Sequence, residues 1–445
     1  MRQNRQIPLR QNNSMKKGKV KIAAVILAAG KDKIMGSDSP NVLNEICGKP
    51  FLYYSLKTLK ELSGCIGDFA ELESISVVVG YGADKVKAAF KNDNINWVYQ
   101  KEPEGSGRVL TELESSLRGL KGLVLFLCGD APLMASETLK ELIGVHLNAP
   151  ESKGAILTCK LDDPAGCECV IKDKKGIVNK IIDDARATAG QKKINEIGTG
   201  AFVFDSQIFD ALIESKTHLR KNENDLTDII DAQVKKGDKF LVYSGNAQEC
   251  LSISNYGGLD TARRLMSGKI INAHIHNGVT VIAPENTYIE EGVQIGDGAI
   301  VYPFTVIHSG VLIGRNCHVG PFSHLRSGTI LHDGAEVGNF TETKKTQLGR
   351  NSKAKHLSYL GDAVIGANVN IGAGTITANY DGVKKDQTII EDGASTGSGT
   401  ILIAPVKMGK NTKTGAGAVI AKGKNVSDGE TVVGIPARVL KRSHK

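Results

Sequence analysis

One histidine in the C-terminal half of the sequence has the cations and amides around it that a site for a phosphorylated amine would need. His356 lies in the segment Ser352–Asp362. Its reference pKa of about 6.5 suits proton removal from an amine near neutral pH. A histidine without partners more often caps a turn or binds water, so the neighbouring polar residues favour a site. The residues that could bind a phosphate or donate hydrogen bonds are Arg326, Lys344, Lys385, Asn370, Asn379 and Tyr380.

Two turns in the N-terminal half have the residue types of a nucleotide or metal site. The apolar run Val20–Ala29 ends at Gly30, and Gly129-Asp130 follows the apolar run Leu123–Cys128. An aspartate at the end of a buried strand can bind a divalent cation or cap the next helix. Active sites of parallel α/β sheets lie beyond the carboxyl ends of the strands, which is where both turns would be.

The elements that would position these turns alternate between strands and helices. Apolar runs separated by helical segments predict a parallel α/β sheet with crossover helices. The predicted strands are Val20–Ala29, Ile75–Val79, Leu123–Cys128, Ala201–Phe204 and Phe240–Tyr243, and the predicted helices are Phe51–Leu62, Ala83–Phe90, Glu137–Val145 and Leu259–Met266.

A six-residue period organises the C-terminal half. It predicts a hexapeptide β-helix, in which each short strand points one side chain into a narrow core. The first ladder is Ile295, Val301, Ile307, Ile313, Val319, Leu325, Leu331 and Val337, and the second is Ile390, Thr396, Leu402, Met408, Thr414, Ile420, Val426 and Val432.

Glycines and register breaks add detail to this solenoid. Glycine follows many rungs, as in Ile295-Gly296 and Val337-Gly338, and we expect these glycines at corners with positive φ. The register breaks at about 340–355 and again at about 377–385. We expect both breaks to be loops that form the binding face.

Length and composition limit the class of protein. The 445 residues exceed one compact core. We expect a disordered basic extension at 1–20, an α/β domain at 21–257, a linker helix at 258–272 and a β-helix with a short tail at 273–445. The net charge of +8, without an RNA-binding signature, favours small anionic substrates over nucleic acid. Scattered cysteines and no apolar run approaching ~20 residues predict a cytoplasmic protein without a membrane span.

The segments Val337–Lys345, Ser352–Asp362, Asn370–Gly382 and Ala404–Val406 closely resemble those of a bacterial enzyme family. It is the family of bifunctional enzymes that make UDP-N-acetylglucosamine, a precursor of peptidoglycan. Its members join an N-terminal N-acetylglucosamine-1-phosphate uridylyltransferase to a C-terminal glucosamine-1-phosphate acetyltransferase. The resemblance covers nearly the whole chain from about Lys21.

For the C-terminal half, the resemblance implies a left-handed β-helix that forms a homotrimer and binds acetyl-CoA between neighbouring subunits. It implies that His356 is the base for the glucosamine amine and that Glu342 orients the amine or a lysine. The implied sugar-phosphate contacts are Arg326, Lys344, Tyr359, Asn370 and Lys385. The implied acetyl-CoA contacts are Ala373, Asn379, Tyr380, Ser398 and Ala416.

For the N-terminal half, the resemblance implies a Rossmann-like nucleotidyltransferase domain that binds UTP, N-acetylglucosamine 1-phosphate and Mg²⁺. Asp130 and Asn255 match the protein ligands of the metal. The implied nucleotide contacts are Leu27, Ala28, Ala29 and Gly30 in the loop, and Gln100, Gly105 and Ser106 at the uracil.

This N-terminal half also departs from the family pattern. The residues that replace the usual glycine, arginine and lysine of the nucleotide loop are Asp32, Ile34 and Asn41, and Glu168 and Gly198 change the sugar pocket. Our first hypothesis is therefore an active acetyltransferase fused to an impaired uridylyltransferase. The alternatives are a fully bifunctional enzyme in which Lys31 or Lys33 replaces the cations, a non-catalytic nucleotide sensor or scaffold, and a transferase for another sugar nucleotide.

Overall fold

The computed structural model describes residues 19–31, 39–91, 93–101, 109–117, 119–164, 167–208, 225–253 and 255–440. The predicted extension at 1–20 lies almost wholly outside the described residues, as do Asp32, Lys33, Ile34, Gly105 and Ser106. The chain divides into two compact units between Arg263 and Arg264.

The N-terminal unit alternates between strands and helices, as predicted. Its strands are β1 (Val20–Ala28), β2 (Glu45–Ile46), β3 (Lys49–Pro50), β4 (Ala70–Val79), β5 (Asn96–Tyr99), β6 (Gly122–Cys128), β7 (Gly154–Lys160), β8 (Cys169–Lys172), β9 (Val178–Ile182), β10 (Glu196–Asp205) and β11 (Phe240–Ser244). Its helices are α1 (Phe51–Cys65), α2 (Ala83–Ala89), α3 (Val109–Leu117), α4 (Ser136–Leu147) and α5 (Leu226–Lys235). Short 3-10 helices are Asn41–Leu43, Asp184–Arg186, Gln191–Lys193 and Ser206–Ile208.

The main sheet has the strand order β11-β7-β10-β6-β1-β4-β5, with β8 paired to β10 and β9. Strand β1 runs parallel to β4 and β6, but β10 runs antiparallel to β6 and β7. The prediction of an all-parallel sheet is therefore wrong for β10. The chain between β7 and β10 forms the antiparallel pair β8–β9 rather than a crossover helix, so β10 returns in the opposite direction.

Both faces of this sheet are buried, because alternate residues of β1 join different cores. Ile22 and Ile26 pack with Leu59 of α1 on one side. Val25 packs with Leu110 of α3 and Ile229 of α5 on the other side. Two covered faces explain why the strands are continuous apolar runs rather than alternating ones. This packing fixes the ends of β1 and β6, where the candidate nucleotide residues lie.

The helix α6 (Tyr256–His276) spans the boundary between the two units and is longer than the predicted 258–272. Asn255 caps it, because its side-chain Oδ1 accepts a hydrogen bond from the amide of Gly258 at 2.8 Å. The first solenoid strand begins at Thr280, so the predicted solenoid start at Ala273 falls in the last turn of the helix.

The C-terminal unit consists of short strands. They are β12 (Thr280–Val281), β13 (Tyr288–Ile289), β14 (Gln294–Ile295), β15 (Ile300–Val301), β16 (Val306–Ile307), β17 (Leu312–Ile313), β18 (His318–Val319), β19 (His324–Leu325), β20 (Ile330–Leu331), β21 (Glu336–Asn339), β22 (Glu342–Lys344), β23 (Gln347–Leu348), β24 (Lys353–His356), β25 (Tyr359–Gly361), β26 (Ala363–Ile365), β27 (Asn370–Ile371), β28 (Ile376–Ala378), β29 (Thr388–Ile390), β30 (Ile401–Ile403), β31 (Val406–Met408), β32 (Lys413–Thr414), β33 (Val419–Ile420), β34 (Thr431–Val433) and β35 (Arg438–Val439). A 3-10 helix, Pro284–Asn286, lies between β12 and β13.

These strands form a left-handed parallel β-helix with three faces. The first face runs β12-β15-β18-β21-β24-β27, the second β13-β16-β19-β22-β25-β28-β30-β33, and the third β14-β17-β20-β23-β26-β29-β31. Each strand pairs in parallel with the third strand after it, so one coil takes three strands, as Tyr288 opposite Val306 shows. The predicted ladder is confirmed, because every rung is buried except the half-buried Ile295.

The expectation for the glycines after the rungs is wrong in most cases. Gly320 has a positive φ of 98°, but Gly296, Gly338 and Gly349 do not. They are needed for close approach instead, since a Cβ at Gly338 would lie 2.2 Å from the carbonyl oxygen of Lys355 in the next coil. The solenoid therefore uses these glycines to let neighbouring coils touch along the backbone.

The first predicted register break is not a loop. Strands β22, β23 and β24 continue the coil through 340–355, and Glu336 pairs with Lys353 only 17 residues later. The step between rungs shortens to five residues from Thr343 to Leu348. Lys345 turns this corner with a φ of 48°. Thr341–Lys345, expected in a loop, thus lies largely on strand β22, where its side chains are held on a regular face.

The second predicted break is an insertion, as expected. Ala363 pairs with Thr388, 25 residues later, instead of the usual 18. The additional residues form a turn at 379–386, in which Tyr380 and Lys385 form an antiparallel bridge. This turn stands beside β22 and β25 on the second face.

Candidate active sites

Three cations converge on the second face of the solenoid. Arg326 and Lys344 follow the same outward row, because the amide of Arg326 donates to the carbonyl of Thr343 in the next strand. The ammonium of Lys385, and after it the guanidinium of Arg326, lowers the pKa of Lys344 below its ordinary value. Arg326 Nη1 contacts Glu342 Oε1 at 2.9 Å. Cations this close repel one another, and an anion bound among them would relieve that repulsion.

Hydrogen-bonding groups lie next to these cations, above Gly361. Gly361 pairs with Lys344 across strands. A Cβ at Gly361 would lie 2.6 Å from the hydroxyl oxygen of Tyr359 and 2.9 Å from Nδ2 of Asn379. Asn379 also donates to the carboxylate of Asp362. The absence of a side chain at Gly361 therefore leaves room for a phenol and an amide beside the cation cluster.

His356 lies at the corner between the first and second faces, where it is exposed. The amide of Gly374 donates to its carbonyl oxygen at 3.3 Å, and the amide of Gly399 donates to that of Ala373 at 2.7 Å. The amide of Gly417 continues this pattern to Ser398 at 2.8 Å. Four predicted site residues thus stack along one edge in the order His356, Ala373, Ser398 and Ala416. Apart from the histidine, the edge has only small side chains, which leaves an open track along the solenoid.

Asn370 is not brought to the cation cluster within one chain. It begins β27 on the first face, between Lys353 and Ser395. Ala373, which stacks on His356, comes three residues later, or roughly 10 Å along an extended strand. The remaining predicted contact, Tyr380, is exposed in the inserted turn and donates its hydroxyl to the carbonyl oxygen of Gly382 at 2.6 Å.

Three phenylalanines form an exposed ladder at the corner beside His356. Phe304, Phe322 and Phe340 stack with ring centroids 4.9 and 5.1 Å apart. Leu357 continues the ladder next to His356, and all four residues have positive φ and are about half exposed or more. A continuous apolar strip of this kind on a protein surface is typical of a protein-protein contact. We call these four residues the aromatic ladder.

In the N-terminal unit, the ends of β1 and β6 are adjacent. The amide of Gly129 donates to the carbonyl of Leu27 at 2.9 Å, which places Ala28, Ala29 and Gly30 beside the turn that carries Asp130. Lys31 lies with its ammonium 5.1 Å from the ring centroid of Tyr81, in a cation–π contact.

The neighbouring Asn41 supplies no cation to this loop. Its amide donates to the carbonyl of Gly30 at 3.1 Å, and its Oδ1 accepts from Nδ2 of Asn44 at 3.1 Å. The predicted uracil contact Gln100 is buried at the end of β5. The other two, Gly105 and Ser106, are outside the described residues.

The two predicted magnesium ligands lie on touching segments, since the amide of Ile253 donates to the carbonyl of Asp130 at 3.1 Å. Asp130 supplies a half-buried carboxylate. Asn255 supplies an amide oxygen that accepts one hydrogen bond from Gly258 and has a second lone pair. Two oxygen donors suit Mg²⁺, which takes its other ligands from phosphates and water. Across the described ranges, no group of three or more His, Cys, Asp or Glu residues is arranged to hold a metal.

Acidic groups gather in the predicted sugar pocket. Burial, with weaker effects from Asp225, Asp228 and Asp183, raises the pKa of Glu168 to about 7, although Thr227 donates to its Oε1 at 2.6 Å. Gly198 adds no polar side chain there, and a Cβ on it would lie 3.9 Å from Glu168 Oε2. Above pH 7 this pocket therefore becomes more negative, which disfavours an anionic substrate.

Sequence reasoning missed two parts of the solenoid site. Asp362, the partner of Asn379, lies at a shortened corner that became visible only with the coil register. His308 and His324 contact each other on the second face, one coil before the cations, with their Nε2 atoms 2.8 Å apart. Their spacing of 16 residues has no meaning until the coil length is known. In the described part of the chain, no helix is long and apolar enough to span a membrane.

Comparison with known proteins gives the same division. Residues 24–191 match the model of a MobA-like NTP transferase domain. The chain is 35% identical to the bifunctional protein GlmU of Geobacillus sp. (strain WCH70), covering 92% of this chain and 93% of that protein. It is 36% identical to that of Clostridium novyi (strain NT), over 92% and 95%, and 33% identical to that of Bacillus subtilis (strain 168), over 90% and 93%. A solved synthetase of CMP:2-keto-3-deoxy-manno-octonic acid covers 56% of this chain and 99% of its own at 14% identity, with a TM-score of 0.43 that carries no argument.

Proposed function

The chain belongs to the family of bifunctional GlmU proteins, and we propose that its solenoid transfers the acetyl group of acetyl-CoA to the amine of glucosamine 1-phosphate. The observation that supports this most directly is the position of His356. It stands at the end of an open edge of small residues and beside a cluster of three cations. The edge suits the long thin chain of acetyl-CoA, and the cations suit a sugar phosphate.

In the proposed reaction, the amine of the sugar attacks the thioester carbonyl. A nitrogen–carbon bond forms, the carbon–sulfur bond breaks, and His356 takes the proton that the amine gives up. The departing sulfur leaves as the thiol of CoA. Arg326, Lys344 and Lys385 would hold the phosphate, and Tyr359 would contact the sugar ring between them and the base. Holding both substrates in this way lowers the entropic barrier of a two-substrate reaction.

We also propose that the site is completed between copies of the chain in a homotrimer. Two observations support a second copy. Asn370 lies away from the cation cluster of its own chain, so it would contact sugar bound to a neighbour. The aromatic ladder leaves apolar surface exposed immediately beside His356, and a neighbouring subunit would cover it. Acetyl-CoA would then lie between two solenoids and contact Ala373, Asn379, Tyr380, Ser398 and Ala416.

For the N-terminal unit we propose uridylyl transfer from UTP to N-acetylglucosamine 1-phosphate, with pyrophosphate as the second product. Leu27 to Gly30 would contact the nucleotide and Gln100, Gly105 and Ser106 the uracil. Asp130 and Asn255 would hold Mg²⁺, which neutralises phosphate charge when bound.

We propose that this N-terminal half-reaction is the slower one. Asn41 supplies no cation, Lys31 contacts Tyr81, and Glu168 adds negative charge to the sugar pocket. Nucleotidyl transfer depends mainly on positioning and charge neutralisation, so these features lower its rate.

The two half-reactions are tested on one preparation. Thiol release from acetyl-CoA that requires glucosamine 1-phosphate, with N-acetylglucosamine 1-phosphate as the product, supports the acetyltransferase. Pyrophosphate release from UTP and N-acetylglucosamine 1-phosphate with Mg²⁺ measures the other half. A uridylyl rate equal to or above the acetyl rate would contradict the proposed impairment. UTP binding without turnover would favour a nucleotide sensor instead.

A further inference from the structure

Two imidazoles form a contact on the second face of the solenoid. His308 Nε2 lies 2.8 Å from His324 Nε2, and His308 Nδ1 lies 3.0 Å from Glu290 Oε1. The second carboxylate oxygen of Glu290 is occupied, because it accepts the amide of Ser309 at 2.7 Å. Both histidines are half-buried. The contact is therefore anchored at one end by a fixed carboxylate.

The distances limit how many protons the pair can hold. A separation of 2.8 Å between two ring nitrogens admits one proton, donated by one ring and accepted by the other. The carboxylate of Glu290 accepts the N–H of His308 Nδ1. With one additional proton the pair carries a single positive charge and keeps its contact. A second additional proton would set two N–H groups against each other and separate the rings.

The pair is next to the phosphate-binding cations. His324 lies opposite Glu342 in the register of β19 and β22, and Glu342 Oε1 contacts Arg326 Nη1 at 2.9 Å. The ionisable groups that face His324 are therefore His308 and Glu342 on the flanking strands and Arg326 on its own strand. Burial, and then His308, lowers the pKa of His324, Glu342 raises it, and Arg326 lowers it further.

The carboxylate of Glu342 thus has two possible cationic partners. In the structure it is paired with Arg326. When a phosphate binds among the cations it competes with Glu342 for the Arg326 guanidinium, which prefers a bidentate anion. Glu342 would then be left without its cation, unless His324 becomes positively charged beside it.

We propose that His324 is a positioning residue that takes up a proton when the substrate phosphate draws Arg326 away from Glu342. His308 and Glu290 hold the imidazole at the place where this exchange happens. The proposal rests on the proposed acetyl transfer, because glucosamine 1-phosphate is the anion concerned. Linkage then requires that a lower pH tighten substrate binding, since the bound form carries more protons than the free form. The effect ends where the phosphate itself becomes protonated.

The test is proton uptake on binding. Calorimetric titration of the full-length protein with glucosamine 1-phosphate at pH 7, in two buffers of different ionisation enthalpy, gives the number of protons taken up per ligand. Wild type is expected to take up a measurable fraction of a proton more than His324→Asn. The matched control is His332→Asn, because His332 is exposed and outside this network, and it is expected to behave as wild type. Equal uptake by wild type and His324→Asn would overturn the proposal.

Kinetics give a second readout that a merely structural role would not move. From pH 8 to pH 6.5, the KM for glucosamine 1-phosphate is expected to fall about fivefold more in wild type than in His324→Asn, in the range typical of coupled sites. The KM for acetyl-CoA is expected to respond equally in both proteins. The ionisation of the substrate cancels in this comparison. If both KM values respond together, the histidine only supports the fold and the proposal fails.

The proposal and the proposed function can fail separately. If wild type shows no acetyl transfer, the function is refuted. The proton exchange is then tested with inorganic phosphate as the probe, by following the histidine resonances in NMR. A rise in the apparent pKa of the His308–His324 pair on adding phosphate supports the exchange, and an unchanged titration overturns it. His308→Asn gives the same comparison if His324→Asn does not fold.

Discussion

Glu168 is expected to destabilise the N-terminal unit at neutral and alkaline pH. Burial raises its pKa to about 7, whereas an unfolded glutamate titrates near ~4.3. The folded state therefore binds more protons than the unfolded state between these values, so stability falls as pH rises through this window. The two pKa values are roughly three pH units apart, which corresponds to at most about 4 kcal/mol at pH 8.

Glu168→Gln removes this penalty while keeping the shape. The amide oxygen of glutamine can still accept the hydroxyl of Thr227, and glutamine does not ionise. We expect the variant to be more stable than wild type by about 3 kcal/mol at pH 8 and by only about 1 kcal/mol at pH 5, where the folded carboxyl is already protonated. A smaller negative charge in the pocket should also raise the uridylyl rate at pH 8.

The assay uses the only tryptophan in the sequence, Trp97. It lies on β5 of the N-terminal unit, so its fluorescence during urea unfolding reports on this unit and not on the solenoid. Glu141→Gln is the matched control, because Glu141 is exposed on α4 and is expected to change stability by less than ~0.5 kcal/mol at both pH values. If Glu168→Gln has the same effect at pH 5 and pH 8, the assigned ionisation is wrong.

Three further substitutions test the solenoid. Gly349→Ala would place a Cβ 2.3 Å from the carbonyl oxygen of Gly366, so we expect a loss of ~1–3 kcal/mol seen as a lower Tm, while Gly268→Ala, with open space on helix α6, should gain up to ~1 kcal/mol. Equal Tm shifts would refute the close approach of the coils. Phe322→Asp in the aromatic ladder should convert the trimer to monomer in sedimentation velocity, and an intact trimer would exclude the ladder from the interface. Lys344→Met should raise the KM for glucosamine 1-phosphate ~10–100-fold without changing that for acetyl-CoA, the loss of a charge-assisted contact, and an unchanged KM would remove it from the phosphate site.

The sequence was sufficient to predict the solenoid and the residues of its site. A six-residue period has one physical solution, and the buried rungs from Val301 to Val337 follow from it. What the sequence could not give was the coil length at each turn. The shortened corner at Lys345 looks like a loop in the sequence, because the loss of one residue and the start of a loop break the period in the same way. It is the coil length that brings His308 next to His324.

In the N-terminal unit, the strand positions were predictable but the direction of one strand was not. Hydrophobic runs such as β10 show burial on both faces and carry no information about direction. The close approach of the β1 and β6 ends follows from the parallel sheet, and it brings Gly30 and Asp130 together. The ionisation of Glu168 was not predictable, since it depends on burial and on acids far away in the sequence.

The most direct test of the central claim measures both half-reactions of His356→Ala. Loss of the general base should slow thiol release from acetyl-CoA by ~10²–10⁴-fold, while pyrophosphate release by the N-terminal unit stays at the wild-type rate. The unchanged half-reaction shows that the variant is folded. Wild-type thiol release by His356→Ala would contradict the assignment of the solenoid site.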